Sequence, residues 1–135
     1  MSRLRFLAVA FALAAVACGN NNPTTPTPTT PATVTDTFAG TLTANGAASY
    51  TFTTAVSGQV TATIATLSPD ATLIVGLALG TWNGNACQIV LSKDQATQLS
   101  FLIGQASQAS TFCVRIYDVG NVTDPATYEL QVNHP

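Results

Sequence analysis

Gly58-Gln59-Val60-Thr61-Ala62-Thr63-Ile64-Ala65-Thr66-Leu67-Ser68-Pro69-Asp70 decides the fold class. Val60, Ala62 and Ile64 recur at every second position, so an extended chain gathers them on one face. The β-branched residues among and between them suit a pleated surface better than a helix. Ser68-Pro69-Asp70 ends the run, because proline has no amide to give to a strand ladder. The stretch reads as one half-buried strand.

The same period continues in both directions. Phe38, Gly40 and Leu42 alternate before Ala44-Asn45-Gly46, which signals a hairpin, and Tyr50 and Phe52 continue on a second strand ended near Ser57-Gly58. Leu73, Val75, Leu77 and Leu79 mark a fourth strand, closed by Trp82-Asn83-Gly84-Asn85. A short segment, Cys87 to Leu91, follows. Leu99, Phe101 and Ile103 then alternate, as do Phe112, Val114 and Ile116, and finally Tyr128, Leu130 and Val132. The best helix candidate, Lys93 to Gln98, is too short to stand alone. The expectation is an all-β domain over residues 36–135: an antiparallel β-sandwich of about eight strands, each with one buried and one wet face.

The segment before this domain is of another kind. Arg3 and Arg5 precede a twelve-residue apolar run, Phe6 to Ala17, which is shorter than the roughly twenty residues of a membrane-spanning helix. Residues 1–17 have the charge, length and small terminal residues of a secretory signal. Ala15-Val16-Ala17-Cys18 satisfies an ordinary Ala-x-Ala cleavage site, and it also resembles a bacterial lipobox. On that resemblance Cys18 is acylated and becomes the first residue, and two or more acyl chains anchor a protein stably. Gly19 stands where aspartate would imply retention in the inner membrane, so the resemblance implies the outer membrane of a bacterial envelope. Residues 18–35 then form a tether: Pro23, Pro26, Pro28 and Pro31 exclude helix and sheet interior. Such a polyproline-like spacer rises about 3.1 Å per residue, giving a reach of roughly 50 Å.

With Cys18 committed to lipid, Cys87 and Cys113 remain in a compartment where thiols oxidise, and they admit one pairing. A free redox or metal pair would need a Cys-x-x-Cys spacing or histidine support, and neither is present.

Several stretches resemble the bacterial pre-peptidase C-terminal domain, a small β-sandwich. Gly40-Thr41-Leu42 with Ser49-Tyr50-Thr51-Phe52 is similar to its opening hairpin, and Ser57-Gly58-Gln59-Val60 to its next turn and strand. Leu67-Ser68-Pro69-Asp70-Ala71-Thr72-Leu73 resembles the loop into its fourth strand. Phe112-Cys113-Val114-Arg115-Ile116-Tyr117 and Tyr128-Glu129-Leu130-Gln131-Val132 resemble its last two strands. The resemblance implies a jelly-roll-like sandwich.

Composition limits the chemistry. Among 135 residues, four are basic and six acidic, for a formal charge of −2, too little positive charge to track nucleic-acid phosphates. The one histidine, His134, is penultimate, where chain ends fray, so no nucleophile–base arrangement is expected. Asp70, Asp94, Asp118, Asp124 and Glu129 are spread singly and read as solvated charges. Asp118, Asn121 and Asp124 share one loop and are weak calcium candidates, because the spacing lacks an Asp-x-Asp-x-Asp-Gly pattern. Arg115 and Tyr117 share the outward face of a strand and could touch a partner, although Arg115 pairing with a cross-strand carboxylate such as Glu129 is the plainer reading. Trp82, in a turn, could stack on a sugar or simply cap the core. The expected protein is not an enzyme and needs no cofactor. It is a lipid-anchored binding or structural module, partnered by the membrane through its lipid and by an envelope protein or glycan. The alternative is a carbohydrate- or calcium-dependent adhesion domain.

Overall fold

Apolar residues at alternate positions must find a second layer, and here they find it in each other. A computed structural model describes residues 25–27 and 29–135; the signal-like segment and Cys18 lie outside the described residues. Eight strands form: β1 (Val34–Leu42), β2 (Ala47–Thr54), β3 (Gly58–Ser68), β4 (Val75–Trp82), β5 (Cys87–Ala96), β6 (Phe101–Ala106), β7 (Ser110–Tyr117) and β8 (Ala126–His134). Two four-stranded antiparallel sheets result, ordered β1-β8-β3-β6 and β2-β7-β4-β5. No helix occurs among the described residues.

The pairings β1–β8, β2–β7, β3–β6 and β4–β5 are those of one long hairpin folded across two layers, which is a jelly roll. Its tip is the β4–β5 turn, where Gly84 takes φ +95° and Asn83 Oδ1 accepts from the amides of Asn85 and Ala86 at 2.9 and 2.8 Å. The Ala44-Asn45-Gly46 turn is not a hairpin. β1 and β2 belong to different sheets, and the turn arches between them with Asn45 at φ 55°. Turn chemistry reports a reversal of direction, and sheet membership is settled by the strands on either side.

Ile64, Leu77, Val114, Ile116, Leu130 and Val132 fill the space between the layers, all fully buried. Three expectations need correction. The short segment expected over Cys87 to Leu91 is longer, running on as β5 through Lys93 to Ala96. β4 is buried on both faces from Val75 to Gly80, so it has no wet face there. In β6 the polarity is reversed: Phe101 and Ile103 are 54% and 50% exposed, and Leu99, just before the strand, is 68% exposed. Leu102 and Ala106 face the core instead, because pairing Thr61 with Ile103 and Thr63 with Phe101 puts those two beside β3's outward threonines.

The two sides of the sandwich differ. On the β1/β2 side, Phe38 stacks on Tyr50 with ring centroids 4.8 Å apart, and the Tyr50 and Tyr128 hydroxyls lie 2.8 Å apart. That cluster closes the gap. Gly40 has no room for a side chain, since a Cβ would sit 2.6 Å from the Tyr128 hydroxyl. On the β5/β6 side the gap stays open.

Candidate functional site

Strand register defines two ends. Val34 pairs with His134, so the chain enters β1 beside the last residues of β8. Strands about 30 Å long separate this proximal end from the distal one. The distal end carries the turns Thr43–Gly46, Pro69–Ile74, Thr97–Ser100 and Asp118–Pro125.

Asp118 organises the distal end. Its Oδ1 accepts from the backbone amides of Gly120, Asn121 and Val122 at 2.8, 2.9 and 3.0 Å, and Oδ2 accepts from Asn45 at 2.8 Å. These bonds, led by that from Asn45, hold its carboxyl below the usual carboxylate range. Both oxygens thus accept from the chain itself, so Asp118 ties the 118–122 turn to the Asn45 loop. Asn121 turns its side-chain amide to the Ile74 carbonyl at 3.3 Å, and Asp124 meets only the Thr123 hydroxyl. No cluster of three or more metal-ligating side chains occurs among the described residues.

Beside this loop lies a depression of about 530 Å³, lined by Ile74, Asp94, Gln95, Tyr117, Asp118, Val119 and Asn121. The Tyr117 hydroxyl donates to Asp94 Oδ1. Partial burial, then the Asp94 contact, raises the phenol's pKa, so at neutral pH it is a hydrogen-bond donor and not a base. Its ring lies where a side chain on Gly76 would be: a Cβ there would come within 2.2 Å of the ring. The pairing of Asp94 with Tyr117 was not legible from the sequence, since it depends on β5 extending past Leu91.

The other predicted residues are scattered. Arg115 shares the outward face with Tyr117 as expected, but Glu129 sits in the opposite sheet, so the two cannot pair across strands. Across Arg115 stand Ser49 and Ala78. Trp82 ends β4 at the proximal end, about 25 Å along the strand from the depression. One ligand contacting both Trp82 and Tyr117 would have to span the sheet. His134 does not fray. It is 3% exposed within β8, its Nε2 lies 3.1 Å from Asp36 Oδ2, and its ring packs on Phe52. The Pro135 carbonyl, accepting from the Ala55 amide at 3.1 Å, pins the chain end behind it.

Cys87 and Cys113 form the disulfide, with Cα atoms 5.7 Å apart. β4 lies between β5 and β7 in the sheet, so the bridge needs the start of β5 to fold over β4's outer surface. Gly80 permits this: a Cβ there would be 2.1 Å from the Gln88 carbonyl oxygen. Register slips between Leu79 and Gly80, where the extra residue on β5 bends the strand.

No protein-family model matches this sequence, and no curated protein does.

Proposed function

We propose that this chain is a lipid-anchored envelope protein whose sandwich works by binding, at the end remote from its anchor, and not by catalysis. The observation that carries the reading is the placement of the two ends. The spacer enters at Val34 beside His134, while the depression of Ile74, Asp94, Gln95, Tyr117 and Asn121 sits at the other end. A module held off a membrane presents its distal end to whatever lies beyond. The donors and acceptors there (a protonated phenol, the Asp94 carboxylate and the Gln95 and Asn121 carboxamides) suit a polar partner such as a glycan or an envelope protein's loop. The resemblance of residues 36–133 to the pre-peptidase C-terminal domain supports the same reading, as does the lipobox-like run ending at Cys18, which points to a bacterial outer membrane.

Two measurements test it. Cells expressing the chain are labelled with a fatty-acid probe, and Cys18→Ala is expected to lose both label and membrane association. Label that persists in the variant overturns the anchor. A glycan panel is then screened by melting temperature. A ligand at a hundred times its Kd adds about 2.7 kcal/mol, and Asn121→Ala is expected to remove that shift. A shift unchanged in the variant places the ligand elsewhere.

A further inference from the structure

The open side of the sandwich leaves apolar surface exposed. Among the described residues four strands lie at sheet edges: β1 and β2 present hydroxyl-bearing outer faces, and β5 is both bulged and charged. β1 turns Thr35, Thr37 and Thr41 outward, and β2 turns Ser49, Thr51 and Thr53 outward. β5 is bulged twice and carries Lys93 and Asp94. β6, Phe101-Leu102-Ile103-Gly104-Gln105-Ala106, has no charge, no proline and no bulge, and it exposes Phe101 and Ile103. Its inner face is equally unusual. Gly104 lacks a side chain over a cavity of about 210 Å³ lined by Val60, Leu79, Val90 and Leu91. A Cβ on Gly104 would still stand 3.6 Å from the Leu79 and Leu91 methyls. Val90, at the cavity's mouth, is 69% exposed.

We infer that β6 pairs with β6 of a second copy, antiparallel about a two-fold axis at Ile103, joining the two β1-β8-β3-β6 sheets into one of eight strands. An antiparallel strand is its own complement under a two-fold, and an uncharged one brings no like charges together. In this register each Leu102 lies opposite the other copy's Gly104, at the mouth of the cavity that glycine leaves open and over Val90 and Leu91. On the outer face, Phe101 and Ile103 from both copies form one apolar cluster, and cross-strand neighbours at this spacing touch. The arrangement puts the proximal end of one copy beside the distal end of the other. A spacer of roughly 50 Å exceeds a strand length of about 30 Å, so two such copies can still be tethered to one surface. The pairing itself does not depend on the anchor.

The test uses the full chain in the cells that express it. Ile103→Cys, treated with copper phenanthroline, is expected to give a covalent species of twice the chain's mass on a non-reducing gel. Thr37→Cys, also exposed but at the opposite edge of the same sheet, and the unsubstituted chain are expected not to. Equal cross-linking at both positions, none at Ile103→Cys, or an adduct of another mass overturns the pairing. For the purified full chain in detergent, sedimentation should show a dimer, and Ile103→Lys should raise the dimer's Kd at least tenfold while leaving the circular dichroism unchanged. A dimer indifferent to Ile103→Lys also overturns it. Fatty-acid labelling of these variants stays as in the unsubstituted chain, so failure here and failure of the anchor are read separately.

Discussion

Replacing Cys87 and Cys113 together by alanine removes the one covalent link inside the sandwich, and the structure sets the size of the effect. The bridge joins residues 26 apart. The loop-entropy relation gives about 12 cal/mol/K for a loop of that length, or about 3.5 kcal/mol at 25 °C. That is a large share of the roughly 5–15 kcal/mol by which a domain is stable. With a urea m-value of about 1.5 kcal/mol/M, the midpoint should fall by about 2.3 M. At roughly 4–8 °C per kcal/mol for a domain of this size, Tm should fall by roughly 14–28 °C. The loss should be uneven as well. Gln88 to Gln95 are all exposed, so β5 is held by its ladder to β4, by the Tyr117–Asp94 hydrogen bond and by the bridge at its first residue. Amides of β5 should therefore gain more hydrogen exchange under native conditions than those of β8, which is paired on both sides. A double variant whose urea midpoint moves by less than about 0.5 M, with β5 and β8 exchanging as before, would refute this account of the bridge.

Two further outcomes follow from particular atoms. Gly80→Ala puts a methyl group against the Gln88 backbone, which cannot yield without disturbing the disulfide, so a loss of about 1–3 kcal/mol is expected in urea melts. Gly84→Ala is the useful comparison, because nothing lies near a Cβ there and only its positive φ is strained. Asp118 has its pKa lowered in the folded chain from 3.8, so its contribution to stability is complete above that value and is lost as pH falls through the lower, folded one. Asp70, whose pKa is lowered first by the Thr72 hydroxyl and then by its amide, acts in the same direction. Melting followed from pH 6 to pH 2 should thus show an acid limb beginning near pH 4, and Asp118→Asn should flatten it while lowering Tm at neutral pH.

Much of the candidate site escaped the sequence because its parts are distant in the chain. Asp118 lies in turn chemistry that any reading would find, yet its fourth amide comes from Asn45, on a loop seventy-three positions away. Tyr117 was legible as an outward residue on β7, whereas its partner Asp94 depended on where β5 stops. Trp82 and Tyr117 both read as aromatic contacts, but they fall at opposite ends because strand direction, absent from composition, separates them. By its penultimate position His134 reads as a fraying end. It is buried because β8 is a central strand, paired with both β1 and β3 up to its last residues.

The amino-acid sequence by itself determined that the chain after the spacer is all strand, where most strands run and which two cysteines join. Each of these rests on local facts: a two-residue period, turn residues and a count of thiols. Only the tertiary structure decided which strands are neighbours and which face of each is inside. In β6 both faces are apolar, so the period is degenerate and pairing with β3 makes the choice. Strand pairing is a contact between residues far apart in the chain, and alternation along one strand carries no information about its partner. The open β5/β6 side and the two ends of the sandwich are consequences of that pairing, and they exist only once the layers have closed.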